Sequence, residues 1–542
     1  MRGGPSFPHR EGRRVNLTSD RSISLGRRTL LAAGAAASLA APAWAATPAP
    51  VAATKAGRVR GYVDTGVSGF RGIPYGASTA GRRFQPPLPA PAWKGVRETT
   101  AYGPASPQSK AGEPTSEDCL YLNVWTPGLD RARRPVMVYV HGGAYAHGSG
   151  SDPLYDGVRL ARRGDVVVVT LNHRLNAFGH LYLAKLGGPA YADSGNVGLM
   201  DLVQALTWVR DNIAAFGGDP DCVTLFGQSG GGAKIASLMS MPAAKGLFHR
   251  AATMSGQQVT AQGPRGATAR ARAFMEALKL KPEQVGELAT LPYERLVEGL
   301  SARDPIAGGL YFGPVQDERS LSRHPFWPDA PAISAGVPMI IGNTRGETRN
   351  LIGGSDPSLF ALSWDELPAR LQPALFVDID AETVIAEYRR LYPAYSPSDV
   401  FFAATTAGRS WRGALIELEA RAAQGAPTWA YQLDWGSPID GGKWGAPHML
   451  DIPLVFGTTA APNALSGDGV EARHMSELMT DAFIAFARTG DPRTPAVPEW
   501  PRYGLERRTT LSFDLAPRPV DDPRGDERRL FAKVPYVQTG TL

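Results

Sequence analysis

Apolar and polar residues along this 542-residue chain follow three rhythms, and each predicts a different element. Glu117 to Pro127 alternates, the period-two pattern of a strand with one buried face. Val136 to Val140 and Val166 to Leu171 are unbroken apolar runs, as expected for central strands of a parallel sheet covered on both faces. Leu199, Leu202, Val203, Leu206, Val209, Ile213 and Phe216 recur at helical spacing, and Gly217-Gly218 stops that helix. A further apolar run, Val223 to Phe226, breaks into Gly227-Gln228-Ser229-Gly230-Gly231-Gly232, which reads as strand, sharp turn and helix start. Pro338 to Ile341 and Thr428 to Leu433 predict later buried strands, and shorter strand-like pieces lie at Gly57 to Gly61 and Gly69 to Tyr75. The proline-rich stretch from Phe84 to Trp93 predicts irregular covering. Strand, glycine loop, strand, helix, strand, turn, helix is the order of an α/β fold with a parallel sheet flanked by helices.

In such a fold functional groups gather at the carboxyl ends of strands. Gly227-Gln228-Ser229-Gly230-Gly231 has the form of a nucleophile elbow, where the turn is so tight that the serine hydroxyl stands clear of the sheet. A serine needs a neighbouring imidazole as base, and the imidazole needs a carboxylate to hold its tautomer. The Pro338 run exits through Gly342-Asn343-Thr344-Arg345-Gly346 into Glu347, and the Thr428 run is followed by a glycine-rich loop that delivers His448. Of the nine histidines, His249, His324 and His474 follow the serine in surface-like sequence, whereas His448 alone follows a late strand. Ser229, Glu347 and His448 therefore form the candidate set, with Asp317 and Asp451 as alternative acids. His141-Gly142-Gly143-Ala144-Tyr145 ends the Val136 strand; it is either a simple tight turn or a loop aiming N–H groups at a developing oxyanion.

Charge changes the picture less than the total suggests. The net charge is +6, but the first 45 residues hold seven arginines against Glu11 and Asp20, so the remainder is close to neutral and offers no footprint for nucleic acid. Within that leader, Arg27-Arg28 precedes an alanine-rich apolar run too short to span a bilayer, ending at Pro42-Ala43-Trp44-Ala45. These are the parts of an export signal, here similar to a bacterial twin-arginine signal, although an ordered N-terminal helix would fit the same run. The expectation is cleavage near Ala45, a periplasmic or secreted mature protein of residues 46–542, and no stable membrane anchor. Residues before Ser22 match no signal element. Two cysteines, Cys119 and Cys222, make no disulfide framework, and no zinc spacing or phosphate loop is present.

Two long motifs carry a resemblance. Phe216-Gly217-Gly218-Asp219-Pro220 through Val223, Leu225 and Gly227-Gln228-Ser229-Gly230-Gly231 matches the serine signature of the type-B carboxylesterase family of α/β-hydrolases. Glu117-Asp118-Cys119-Leu120-Tyr121-Leu122-Asn123-Val124-Trp125-Thr126-Pro127 matches its second signature, and further matches run from Phe70 to Tyr503. The resemblance implies an α/β-hydrolase fold: a central, mostly parallel twisted sheet flanked by helices, with long loop and helical insertions. It implies Ser229 as nucleophile, His448 as base and acid, and Glu347 as orienting carboxylate. It also implies the N–H groups of Gly143, Ala144 and Gly230 as oxyanion donors, and Ser255 and Asp451 as supporting polar residues behind the triad.

Departures from the family pattern narrow the substrate. Ser106 occupies the place where the family often pairs a cysteine with the one at Cys119, so Cys119 is expected to be free. The segment from Pro107 to Asp118 is short and lacks the tryptophan that binds a quaternary cation in cholinesterases, and Gln228 replaces their glutamate. Uncharged small to medium carboxylic esters are the expected substrates, with no metal and no cofactor. The same triad would serve an amide or carbamate, and the family also contains non-catalytic binding relatives. His173, Glu318 and Met449 replace the family's tyrosine and two glycines, and Met449 would either narrow the pocket or stiffen its loop. Residues 300–330 and the segment from Ala460 to Gly469 are expected to border the cleft.

Overall fold

Long β-branched and aromatic runs pair into one sheet of eleven strands in the computed structural model, which describes residues 48–304 and 308–538. The expected export signal and its cleavage site lie outside the described residues. The strands are β1 (Tyr62–Asp64), β2 (Val67–Pro74), β3 (Tyr121–Thr126), β4 (Arg134–Val140), β5 (Val167–Leu171), β6 (Gly218–Gln228), β7 (Arg250–Met254), β8 (Met339–Thr344), β9 (Thr428–Leu433), β10 (Thr509–Phe513) and β11 (Arg518–Asp521). Their order across the sheet is β1-β2-β3-β5-β4-β6-β7-β8-β9-β10-β11. Pairing is parallel from β5 through β10 and antiparallel at both margins.

The helices that matter for the site are α1 (Val197–Asn212), α2 (Gly230–Leu238), α3 (Pro397–Thr406), α4 (Arg412–Ala423), α5 (Asp451–Phe456) and α6 (Val470–Thr489). Alternation along the fully buried strands sends their side chains to two cores. Val136, Val138 and Val140 of β4 join Leu199, Leu202 and Leu206 of α1 on one face. Met137 and Tyr139 join Met475, Met479 and Phe483 of α6 on the other. An all-apolar strand is thus explained by helices on both faces. The α1 stripe ends as expected, with Gly217 in the left-handed conformation at φ 75°.

Arg174, just past β5, is tied to Asp201 of α1 by two charge-assisted bonds of 2.6 and 2.8 Å, both side chains being almost wholly buried. This pair anchors the loop after β5 to the helix that leads into β6. The Gly57 to Gly61 piece forms no part of the main sheet; Arg58–Arg60 pairs with Val51–Ala53 and Val96–Glu98 in a small one. Strand β7 escaped the sequence reading because Arg-Ala-Ala-Thr-Met has weak strand character. Its position between β6 and β8 comes from the pairing alone.

From β4 the chain crosses to β5 on one side, while β6 lies on the other and leads outward to β7. The order therefore reverses between β4 and β6. A crevice opens above the carboxyl ends of strands at such a switch point. His141 to Ala144 follow β4 and Ser229 follows β6, so both motifs arrive there.

Candidate active site

Ser229 sits between β6 and α2 at φ 56° and ψ −126°, a conformation that L-residues adopt only under tertiary constraint. Its N–H donates to Met254 O of β7 at 2.8 Å, which holds the turn against the neighbouring strand. Gly231 is required by a close approach: a Cβ there would lie 1.9 Å from Val140 O at the end of β4. Strand β4 and the first turn of α2 consequently touch backbone to backbone, and no side chain separates the serine from the loop after β4.

Glu347 and His448 arrive from two adjacent strands. The loops after β8 and β9 are clasped by Gly346 N–H donating to Ala446 O at 2.8 Å. His448 Nδ1 donates to Glu347 Oε2, and Glu347 Oε1 accepts from Thr344 N–H at 2.8 Å. Glu347 is fully buried. Burial alone would raise its carboxyl; the charge and hydrogen bond of His448, with the Ser255 hydroxyl and the Thr344 N–H, outweigh burial and hold it below the usual range. The other ring nitrogen, His448 Nε2, accepts from the Gln228 side-chain amide at 3.0 Å. In the neutral ring Nδ1–H is directed at Glu347 and Nε2 carries the lone pair, the tautomer a general base requires. Among the described residues Ser229 Oγ has no hydrogen-bond partner. In this arrangement His448 Nε2 meets Gln228 and not Ser229.

After β4, Gly143 at φ 81° and Ala144 at φ 51° are two successive left-handed residues. The N–H groups of Gly143, Ala144 and Gly230 meet no acceptor among the described residues. Ala144, Ser229 and Gly230 line one cavity of ≈ 210 Å³ together with His448. Successive left-handed N–H groups beside a helix N-terminus make a concavity suited to negative charge. Beneath it, fully buried Lys234 donates to His141 O at 3.2 Å. His141 stacks on His173 at 4.8 Å between ring centroids, and burial, assisted by Lys234, drives both imidazoles well toward the neutral form. His173 therefore pads the loop after β4.

Asp451 is close enough to Glu347 and His448 to feel both charges, while Ser255 lines the cavity itself beside Ser229 and His448. Tyr431 OH donates to Asp451 Oδ2 at 2.8 Å, and burial pushes this carboxyl up to about 6. Neither alternative acid faces the His448 ring: Glu347 occupies Nδ1, and Asp317 accepts the N–H groups of Arg319, Ser320 and Leu321 in a loop turn. His249 and His324 are half-buried and accept the N–H groups of Val223 and Ala261, so they brace loops rather than lie free in solvent.

Several expectations about the surroundings need correction. The segment from Ala460 to Gly469 does not line the cavity; Ala464 and Leu465 pack on the α6 core, and Thr459 Oγ1 binds Asp468 at 2.6 Å just before it closes. Of residues 300–330, Tyr311 alone among the described residues reaches the cavity. Met449 does not narrow the pocket either. It takes φ 72° and packs on the second core, while Glu318 takes φ 61°, so both replacements keep the glycine-like backbone at a cost in strain. Walls not foreseen from sequence are Gln257, Gln258, Leu351, Arg409, Ser410 and Gln538. Only adjacency to Ser255 would have flagged the first two. Both cysteines are free, with Ser106 beside buried Cys119.

A sheet whose order reverses beneath a strained serine, with a buried acid and histidine supplied by the loops after β8 and β9, gives this chain the α/β-hydrolase fold. Within that class it belongs to the carboxylesterase family, whose model matches residues 48–531. It is 38% identical over 496 residues to the para-nitrobenzyl esterase of Bacillus subtilis (strain 168), covering 88% of this chain and 98% of that protein. It is 35% identical over 517 residues to the phenmedipham hydrolase of Pseudarthrobacter oxydans, covering 91% and 99%. A solved carboxylesterase of Geobacillus stearothermophilus superposes with a TM-score of 0.79 at 39% identity, covering 89% of this chain and 99% of that one. The chain is accordingly a serine-dependent carboxylic ester hydrolase.

Proposed function

We propose that Ser229, His448 and Glu347 act as a catalytic triad on small-molecule carboxylic esters through an acyl-enzyme. The observation that carries this reading is the His448 ring, held by Glu347 at Nδ1 with Nε2 left for a second partner, in the same cavity as the strained Ser229. His448 Nε2 takes the Ser229 proton as Oγ bonds to the ester carbonyl carbon. The carbonyl oxygen, now negative, is received by the N–H groups of Gly143, Ala144 and Gly230. Collapse breaks the bond to the alcohol, which leaves with the proton from His448. Water then attacks the acyl-enzyme with His448 again as base, releasing the acid and restoring Ser229. Each donor of this kind contributes about 3 kcal/mol of transition-state stabilisation. Ser255 and Asp451 sit close enough to Glu347 to act on its charge. The missing tryptophan and Gln228 argue against a choline ester.

Labelling by an organophosphonate probe, followed by intact mass, tests the nucleophile. The native enzyme is expected to gain one phosphonyl group and Ser229→Ala none; labelling of folded Ser229→Ala to the same extent would refute it. A second reading, carbamate hydrolysis by the same residues, is favoured by the relative named phenmedipham hydrolase. Matched ester and carbamate substrates separate the two.

We also infer export, supported by Arg27-Arg28, the apolar run and Ala43-Trp44-Ala45 in the sequence. Among the described residues no helix is long and apolar enough to cross a membrane. Mass spectrometry of the protein from periplasm or medium should place its first residue at Ala46; retention of Arg27-Arg28 in the extracellular protein would overturn this.

A further inference from the structure

The cavity wall holds a charge that ester hydrolysis does not use. Arg409 lines the cavity that contains Ser229 and His448, and it is the one permanently charged side chain among the described residues that do so. It belongs to the π-helical segment Ala407–Trp411 between α3 and α4. The wider turn takes one residue out of the ordinary helical register, a feature found most often at functional sites. Its guanidinium lies over the Phe376 ring, 4.7 Å from the centroid. Among the described residues no carboxylate and no carbonyl pairs with it.

Three other inward arginines are matched by carboxylates, whereas Arg412 and Arg421 are met by carbonyls or a hydroxyl. Arg83 meets Glu117, Arg174 meets Asp201, and Arg524 meets Glu527. At Arg409 burial alone acts, pulling the guanidinium below its ordinary range with no anion to oppose it. A half-buried guanidinium has given up part of its hydration and gains most from a planar anion that accepts two N–H bonds side by side. The rest of the wall is neutral: Gln257, Gln258 and Ser410 are polar without charge, and Glu347 is screened behind His448. The absent tryptophan argues against a cationic substrate group and is silent about an anionic one.

We propose that the preferred substrates are esters bearing a free carboxylate, half-esters of dicarboxylic acids among them, and that Arg409 binds this carboxylate while Ser229 attacks the ester carbonyl. This rests on the triad reading above and replaces the expectation of uncharged esters. The bonds made and broken are those already described; the distal carboxylate takes no part beyond its contact with Arg409.

The test compares kcat/KM within matched pairs. Monoethyl adipate is set against ethyl hexanoate for an acyl-side charge, and para-carboxyphenyl butyrate against phenyl butyrate for an alcohol-side charge. The anionic member of at least one pair is expected to be favoured roughly 10- to 100-fold at low salt, the yield of a charge-assisted hydrogen bond. Added salt should shrink the preference. In Arg409→Gln the ratio within that pair should collapse toward unity, and Arg409→Lys should fall between because it keeps the charge but loses the fork. A neutral preference in both pairs, or an unchanged ratio in Arg409→Gln, overturns the proposal. If Arg409→Gln does not fold, the native ratio and its salt dependence decide. Failure of the triad reading is distinct: there the neutral esters would be hydrolysed equally well by Ser229→Ala.

Discussion

Gly231→Ala tests whether the contact between α2 and β4 sets the catalytic geometry. The new Cβ would lie 1.9 Å from Val140 O, 2.8 Å from Val140 C and 3.0 Å from His141 O. Ordinary contact begins at 3.4 Å, so helix and strand must part by about 1.5 Å. The obstructing atoms are backbone of a central strand paired on both sides, and no side chain can swing away. Gly230 rides on the helix and the His141 to Ala144 loop on the strand, so the separation pulls the oxyanion donors apart. A misplacement near 1 Å costs about 10²-fold in rate, and loss of one donor about 10²- to 10³-fold. Overpacking of this kind costs about 1–3 kcal/mol, less than the stability of most folded chains. The expected result is a folded protein with a lowered melting temperature and kcat/KM down by about 10²-fold or more, mainly in kcat, because oxyanion contacts strengthen in the transition state. Steady-state hydrolysis of para-nitrophenyl acetate and a thermal melt measure both. Gly286→Ala, where a Cβ meets nothing within 4 Å, is the control. Native kcat/KM at a native melting temperature would refute the argument.

Three further outcomes follow from buried charge. Glu347→Gln keeps the shape but removes the carboxylate that receives His448 Nδ1–H; kcat should drop about 10⁴-fold through loss of the productive tautomer, with little change in melting temperature. Asp201→Asn leaves Arg174 buried without its charge partner and should cost about 3–5 kcal/mol in chemical denaturation, far more than an exposed pair such as Arg60–Glu98. Fully buried Glu417 accepts Gln258 N–H at 2.7 Å, and burial, only partly offset by that bond and Arg421, pushes its carboxyl up to about 8. Between an unfolded value of about 4.3 and that folded value, the native state holds a proton that the unfolded chain has released. Its contribution is thus fully present at low pH and lost as pH rises to 8. Glu417→Gln should remove this slope, so its melting temperature gains on the native protein from pH 5 to 8; parallel profiles would contradict it.

How much was legible depended on distance along the chain. The helix from Leu199 and the strands at Val136, Val166 and Thr428 were readable because burial of one or both faces imposes a local period. Ser229 was readable because its turn demands glycines at adjacent positions, and Glu347 and His448 because each closely follows an apolar run. Strand β7 was missed, since two alanines beside an arginine carry little strand preference and one threonine does not offset them; its place is held by Ser229 N–H and the registers with β6 and β8. The mistaken border at Ala460 to Gly469 came from composition, which cannot tell a loop over the cleft from one packed on α6.

The sequence by itself determined the fold class and proposed Ser229, Glu347 and His448 and the loop after β4, because Ser229, Glu347 and the loop lie within a few positions of a strand end and His448 follows in the glycine-rich loop after β9. Only the tertiary structure decided which nitrogen of His448 faces Glu347, that Gln228 meets the other, that Met449 serves the backbone rather than the pocket, and that Arg409 reaches the cavity unpaired. Those facts depend on distant segments being folded against one another, 101 residues apart for His448 and Glu347 and 220 for His448 and Gln228. Which buried charges are paired and which atoms meet across the site arise from that packing and have no signature in the local pattern.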